Sequence, residues 1–267
     1  MKYKLLVLDL DGTLASSDHV ILPETKEALI DAQKKGLKIV LASGRPTPGV
    51  LPLAIELDLA KYGGFILSYN GGHMMDASGN VIHEVYLKPE ESHEIYDLAK
   101  ELGANIMAYH NQDIFTEDYE KYIQMEADIN GMNLNQVENF KEAVIHDSMK
   151  NMMTGEPDHL AEVEHQFKQA LSHRFSISRS LPFFLEVMPH GINKATCLEK
   201  LLDLLGLDAS EMVACGDGYN DIQMIQLAGL GVAMENAVDE LKHVADYVTK
   251  SNDDNGIAHV VETFILK

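Results

Sequence analysis

A short apolar segment that ends in acidic residues constrains this chain more than any other feature. Leu5–Leu8 is uniformly apolar, and Asp9-Leu10-Asp11-Gly12-Thr13 follows it directly. An apolar run of this length is typical of a strand buried on both faces of a parallel sheet. Ligands bind at the carboxyl ends of such strands, where the covering helices leave an edge open. Asp9 and Asp11 are therefore predicted to lie at the centre of a functional site.

The surrounding segments repeat a strand, helix and strand order that is typical of an α/β fold. Helical spacing of apolar residues predicts a helix over residues 23–35, and apolar strands are predicted at 37–42 and 65–67. The same order returns late in the chain, with a helix over 194–205 and a strand over 212–215. The pattern predicts an α/β core with a parallel sheet.

The middle of the chain follows a different pattern, in which strands stand beside hairpin-like turns. The predicted helices lie at 90–102, near 119–129 and at 158–171, and the predicted strands at 105–109, 151–154, 175–178 and 183–187. This mixture indicates a separate α+β domain, and a length of 267 residues favours two domains. We predict a core domain at 1–83 and 189–267, with an inserted domain at 84–188.

The acidic composition limits the partners of the chain. Asp plus Glu is 42 and Lys plus Arg is 21, which gives a formal net charge of −21. Nucleic-acid and anionic-membrane binding favour basic surfaces, so neither partner is expected. An acidic protein also repels an anionic substrate, unless a cation and local basic groups intervene.

The two cysteines favour a reducing compartment. Cys197 falls in a predicted helix and Cys215 in a predicted apolar strand, where buried free thiols are more common than a disulfide, a metal pair or a nucleophile. The N-terminal residues do not resemble a signal peptide, and no apolar run approaches the ~18 residues of a membrane span. We expect a cytoplasmic protein that is a monomer or a weak homodimer.

Three further polar clusters flank the predicted core elements, and each has an ordinary structural explanation. Gly216-Asp217-Gly218-Tyr219-Asn220-Asp221 directly follows a strand and could be a helix-capping turn. Ser43-Gly44 could donate to an anion or form a simple turn. Lys194 begins a helix, where backbone N–H groups favour anions, or it could be a solvated surface lysine.

A functional interpretation of these clusters is favoured because they all lie at one edge of the predicted sheet. Carboxylates from two neighbouring strand ends would form an oxygen site that suits Mg²⁺, which prefers oxygen ligands and keeps several waters. No Cys and His residues show zinc-site spacing. The sequence therefore predicts a site for magnesium and an anion at this edge.

Four segments of the chain resemble the four ordered motifs of the haloacid dehalogenase superfamily. They are Asp9-Leu10-Asp11-Gly12-Thr13, Ser43-Gly44-Arg45, Lys194 and Gly216-Asp217-Gly218-Tyr219-Asn220-Asp221. The insertion, with Tyr69-Asn70-Gly71-Gly72 and residues 185–194, is similar to the Cof-type, subclass IIB sugar phosphatases. The resemblance spans the whole chain, although Asn193 and Ala195 stand where relatives often have Ser and Gly. It implies a Rossmann-like core with a parallel sheet and an inserted C2-type cap at 84–188.

The resemblance also implies a mechanism. Asp9 would be the nucleophile that forms an aspartyl-phosphate, and Asp11 the general acid and base. Mg²⁺ would be bound by Asp9, the Asp11 carbonyl and Asp217, with Asp221 ordering the ligand shell. The implied phosphate-binding residues are Leu10, Ser43, Gly44, Lys194 and Asn220. Arg45 matches the motif but receives no catalytic role.

These features together favour a Mg²⁺-dependent phosphatase that hydrolyses small phosphorylated metabolites, sugar phosphates above all. Two alternatives stay open. A phosphomutase of the same superfamily would need activation by a bisphosphate, and a regulatory binding protein would keep the site without turnover. The residues of the insertion that select the substrate are not assigned.

Overall fold

A computed structural model describes residues 2–267, which form two compact units. The core unit runs to His83 and resumes at Asn193–Lys267, and the inserted unit is Glu84–Ile192. Each has its own sheet and hydrophobic core, which confirms the α/β fold class with an added α+β unit. The domain boundaries given above stay a prediction. No helix among the described residues is long and apolar enough to cross a bilayer.

The first segment of the core unit alternates strands and helices. Its elements are β1 (Leu5–Leu8), α1 (Pro23–Lys34), β2 (Lys38–Ala42), α2 (Thr47–Glu56), α3 (Leu59–Tyr62), β3 (Phe65–Ser68), β4 (His73–Asp76) and β5 (Val81–Glu84). A proline opens α1 at a position where a backbone N–H would have no helical partner. The helix buries Ala28, Leu29 and Ala32, as their spacing predicts.

The inserted unit is built on a six-stranded sheet. Its elements are α4 (Pro89–Glu101), β6 (Asn105–His110), β7 (Asp113–Thr116), α5 (Lys121–Asn130), β8 (Asn133–Gln136), α6 (Phe140–Ala143), β9 (Asn151–Thr154), α7 (Pro157–Leu171), β10 (Phe175–Leu181) and β11 (Phe184–Pro189). The strand order is β10-β11-β9-β6-β7-β8. Only the β7 and β8 pair is parallel among the paired strands described.

The patterns in the sequence do not predict three elements of the inserted unit, namely β7, β8 and α6. Strand β8 contains a single apolar residue, Leu134, and α6 has only four residues. Helix α6 is held in place by the Phe140 ring, which stacks on Tyr96 at 4.7 Å, and by Asn139, which caps the helix. Such short elements contain too few residues for a periodic signal.

The second segment completes the core unit. It comprises α8 (Lys194–Leu205), β12 (Met212–Gly216), α9 (Ile222–Leu227), β13 (Leu230–Ala233), α10 (Asp239–Val244), β14 (Tyr247–Val248) and α11 (Gly256–Val260). The sheet order is β14-β13-β12-β1-β2-β3-β4-β5, parallel from β14 to β3. Because β1 lies between β12 and β2, the carboxyl ends of these three strands are adjacent.

The interior of the core unit agrees with the expectations from the sequence. All four residues of β1 are 0 % exposed. Cys197 and Cys215 are buried, free thiols, as their positions in the sequence predict. Burial raises the pKa of Cys197 to about 11, which disfavours the thiolate form near neutral pH.

The inserted unit encloses a charged cluster between α5 and its sheet. Lys150 Nζ lies 2.9 Å from Glu186 Oε1 and 3.8 Å from Glu126 Oε1, and the Tyr109 hydroxyl donates to Glu126 at 2.8 Å. All four side chains are buried. Burial, together with the Glu186 carboxylate, raises the pKa of Glu126 despite Lys150 and Tyr109. One ammonium thus faces two carboxylates, and one negative charge is not neutralised.

We expect Glu126→Gln to raise the unfolding temperature at pH 8 and to leave it nearly unchanged at pH 4. Because the pKa of Glu126 is higher in the folded than in the unfolded chain, its ionisation opposes folding once the pH exceeds the unfolded value. The amide removes this charge and keeps an acceptor for Tyr109, a gain on the order of 1 kcal/mol at pH 8.

Thermal unfolding followed by circular dichroism at the two pH values measures this effect. Glu162→Gln, at an exposed position of α7, is the control and should show no pH-dependent change. Destabilisation by Glu126→Gln at pH 8 would contradict the inference that the cluster contains one carboxylate charge that is not neutralised.

Candidate active site

The loop after β1 places two carboxylates in different surroundings. Asp9 is only 6 % exposed, whereas the side chain of Asp11 is 49 % exposed. The Asp9 N–H donates to the Cys215 carbonyl at 3.1 Å, which fastens the loop to β12. Gly12 has a φ of +79°, and a Cβ there would lie 2.3 Å from Asp217 Oδ2. A glycine is therefore required where this loop approaches Asp217.

Lys194, the first residue of α8, lies between two carboxylates. Its Nζ is 2.6 Å from Asp9 Oδ1 and 2.6 Å from Asp221 Oδ1, and the residue is 0 % exposed. Burial alone would lower the pKa of Lys194, but the carboxylates of Asp221 and Asp9 outweigh burial and raise it. Lys194 is therefore a charged, buried residue of the site and not a solvated surface lysine.

Asp9, Asp217 and Asp221 form a compact cluster of oxygen ligands. One carboxylate oxygen of each lies within 4.8 Å of the others. Burial, followed by the charge of Asp221, raises the pKa of Asp9 well above its usual range, and burial also raises the pKa of Asp217. With all three carboxylates ionised, the Lys194 ammonium would leave the cluster with a net charge of −2. A divalent cation would neutralise this charge, and the all-oxygen donor set fits Mg²⁺.

Hydrogen bonds distinguish the roles of these carboxylates. Asp221 Oδ1 binds Lys194, and its Oδ2 accepts the N–H groups of Asp217 and Gly218 at 3.0 and 2.9 Å. Asp217 Oδ1 accepts from the Thr13 hydroxyl at 2.9 Å. Both oxygens of Asp221 are thus engaged by protein donors. The pattern favours Asp9 and Asp217 as the metal ligands, with Asp221 orienting Lys194 and the loop after β12.

Donor groups without protein acceptors lie at the ends of β1 and β2. Within residues 2–267, the backbone N–H groups of Leu10 and Gly44 have no hydrogen-bond acceptor. The Ser43 hydroxyl accepts from the Arg45 N–H at 3.0 Å, which leaves its own proton available for donation. Backbone N–H and hydroxyl donors arranged around an open position form an anion site.

Asp11 lies outside the carboxylate cluster and is paired with Arg45. The Arg45 Nε donates to Asp11 Oδ2 at 2.8 Å, Nη2 donates to Oδ1, and Nη1 donates to the Gly49 carbonyl at 3.3 Å. A bidentate pair of this kind fixes the plane of the carboxylate. Arg45 is thus a site residue to which the motifs assign no role. Its position directly after Ser43-Gly44, at the end of the neighbouring strand, is the signal that points to it.

The structure brings the predicted site residues together in the core unit, at the carboxyl edge of β1, β2 and β12 and the start of α8. Asn220 belongs to the turn Tyr219–Asp221, and its Nδ2 donates to Asn70 Oδ1 at 3.0 Å. The roles assigned to the predicted set stay predictions. That set comprises Asp9, Leu10, Asp11, Ser43, Gly44, Lys194, Asp217, Asn220 and Asp221.

Comparisons with known proteins extend over both units. Residues 6–261 match the family model described as haloacid dehalogenase-like hydrolase. A crystal structure of such a hydrolase from Bacteroides thetaiotaomicron is 41 % identical, with a TM-score of 0.93 over 97 % of this chain and 98 % of that one. The structure of the subclass IIB sugar phosphatase BT4131 is 28 % identical, with a TM-score of 0.83 over 98 % of both chains.

A curated relative from Bacillus subtilis is also similar over nearly its whole length. This protein, the 5-amino-6-(5-phospho-D-ribitylamino)uracil phosphatase YcsE, is 30 % identical over 264 residues. The match covers 98 % of this chain and 96 % of the relative. The similarity therefore includes the inserted unit as well as the site.

Proposed function

This chain belongs to the haloacid dehalogenase-like hydrolases and is a phosphatase, and from that premise we propose that it hydrolyses small phosphorylated metabolites, sugar phosphates above all, with Mg²⁺. The buried Asp9 carboxylate, which binds Lys194 and forms an oxygen cluster with Asp217 and Asp221, is the observation that carries the proposal. The similarity to a sugar phosphatase supports the substrate class.

In the first step Asp9 attacks the phosphorus of the ester, and the alkoxide leaves, which forms an aspartyl-phosphate. Lys194 bonds Asp9 Oδ1, so the other carboxylate oxygen is the one available for attack. Water then attacks the phosphorus of the aspartyl-phosphate, which releases inorganic phosphate and restores the Asp9 carboxylate. Two easier steps replace one difficult displacement.

Asp11 transfers the protons in both steps. It protonates the leaving alkoxide and afterwards accepts a proton from the attacking water. Its side chain is exposed enough to reach a substrate, and Arg45 orients it. Arg45 occupies one acceptor position on each Asp11 oxygen, so the remaining lone pairs stay available for proton transfer.

The phosphoryl oxygens are bound by donors from three loops and from α8. The donors are the N–H groups of Leu10 and Gly44, the Ser43 hydroxyl, the Asn220 amide and the Lys194 ammonium. Groups fixed in advance around the phosphoryl oxygens favour the charge distribution of the transition state. When bound by Asp9, Asp217 and the Asp11 carbonyl, Mg²⁺ reduces the repulsion between a carboxylate nucleophile and an anionic phosphoryl group.

We expect phosphate release from a panel of sugar phosphates and other phosphomonoesters to depend on Mg²⁺. Chelation with EDTA should lower the rate at least ~100-fold, because the repulsion at the site returns, and excess Mg²⁺ should restore it. A colorimetric phosphate assay measures both. Failure to release phosphate from any ester with Mg²⁺ present would contradict the proposed activity, and an equal rate in EDTA would contradict the metal dependence.

A further inference from the structure

The turn Tyr69–Gly71, which follows β3, has a left-handed backbone that is uncommon for residues other than glycine. Tyr69 has a φ of 52° and Asn70 a φ of 54°, and Gly71 follows at 101°. Two consecutive non-glycine residues in the left-handed region are uncommon, and such strain persists where the surrounding structure imposes it. None of the residues in this turn has a role in the mechanism proposed above.

Backbone hydrogen bonds fasten this turn to the loop after β2. The Tyr69 N–H donates to the Arg45 carbonyl at 3.0 Å, and the Asn70 N–H donates to the Ser43 carbonyl at 2.9 Å. A Cβ on Gly71 would lie 2.7 Å from the Asn193 carbonyl oxygen, so the turn also packs tightly against the start of α8. The strained backbone thus contacts two of the segments that supply the proposed phosphate donors.

The side chain of Asn70 reaches a third segment. Its Oδ1 accepts from Asn220 Nδ2 at 3.0 Å, and its Nδ2 lies 3.1 Å from the place that a Cβ on Gly44 would occupy. Within residues 2–267, the Asn220 side chain makes no other hydrogen bond. An amide nitrogen carries two protons, so a bond from one proton to Asn70 sets the direction of the other.

We propose that Asn70 is a positioning residue of the phosphate site, whose Oδ1 holds the Asn220 amide with its second N–H free to donate to a phosphoryl oxygen. The inference rests on the proposed function. Asn220 is exposed, so without Asn70 its side chain has to be ordered at each binding event, which weakens binding. The left-handed backbone is what brings the Asn70 amide between Gly44 and Asn220.

Asn70→Gly tests this role, because glycine accepts a φ of 54° without strain and only the side chain is lost. We expect kcat/KM for a phosphomonoester to fall about tenfold, and inhibition by orthovanadate to weaken by a similar factor. The unfolding temperature should stay equal or rise. Asn255→Gly is the matched control, since Asn255 is also left-handed, at a φ of 56°, and its amide bonds Thr25 and Glu24.

A double-mutant cycle with Asn220→Ala separates positioning from an independent contact. If Asn70 acts through Asn220, the double variant has the same kcat/KM as Asn220→Ala alone. Two losses that multiply would overturn the inference, and so would an Asn70→Gly variant with kcat/KM within about twofold of the wild type.

Binding of orthovanadate in the presence of Mg²⁺, measured by isothermal titration calorimetry, keeps this inference separate from the proposed function. A wild-type chain that hydrolyses no ester overturns the proposed function. In that case the double-mutant cycle of Asn70→Gly and Asn220→Ala is measured on the Kd for vanadate. A double variant with the same Kd as Asn220→Ala alone supports the role of Asn70, and two losses of affinity that multiply overturn it.

Discussion

Asp9→Asn is expected to abolish hydrolysis, with kcat for every phosphomonoester at least ~10⁴-fold below the wild type. Asparagine has nearly the same shape and still accepts a hydrogen bond from Lys194, but its neutral amide cannot form the aspartyl-phosphate. Because burial and Asp221 already raise the pKa of Asp9, loss of its charge should not destabilise the fold. The expected variant is therefore inactive and at least as stable as the wild type.

Phosphate release and thermal unfolding measure the two parts of this prediction. Asp18→Asn is the control, because Asp18 is an exposed carboxylate in the same loop and should keep the wild-type rate when neutralised. Retention of more than about a hundredth of the wild-type kcat by Asp9→Asn would contradict the role of Asp9 as the nucleophile.

Lys194→Met is expected to lower both stability and activity. The change removes the ammonium that contacts Asp9 and Asp221 and leaves both buried carboxylates without that partner. Removal of one partner from a buried ion pair destabilises the folded state by about 3–5 kcal/mol. A phosphoryl-binding charge is lost as well, so we expect kcat/KM to fall about 10³-fold.

Two companion variants identify the cause of these losses. Lys200→Met, on an exposed position of the same helix, should change the free energy of unfolding by less than about 0.5 kcal/mol. Asp221→Asn in the Lys194→Met background should recover part of the stability, since one unneutralised carboxylate is removed, without recovering activity. Chemical denaturation and phosphate release measure both, and a Lys194→Met variant as stable as the wild type would show that the ion pair is not needed for folding.

The parts of the site that could be predicted from sequence are those set by local pattern and sheet geometry. The apolar run of β1 indicates a central strand, and parallel strands end at a common edge, so Asp9 and Asp217 are expected to meet. The burial of Lys194 did not follow from its surroundings in sequence, which taken alone favoured a solvated surface lysine. Its two ion pairs, visible only in the fold, decide between these alternatives.

The contacts that could not be predicted join residues far apart in the chain. Arg45 and Asp11 are separated by 34 positions, and Asn70 and Asn220 by 150. Periodicity describes which face of an element is buried and contains no information about which polar side chains meet across loops. The left-handed backbone of Asn70 could not be predicted from the sequence either, because asparagine occupies both ordinary and left-handed turns.

The central place of β1 has a consequence for biosynthesis. Its residues pair with β2 on one side and with β12 on the other, and Leu5 lies opposite Met212. During translation the backbone N–H and C=O groups along one edge of this apolar strand therefore wait for β12 until most of the chain has left the ribosome. Unpaired strand edges, above all those of apolar strands, pair with strands from other molecules. A nascent or truncated chain that ends before β12 thus exposes an aggregation-prone strand.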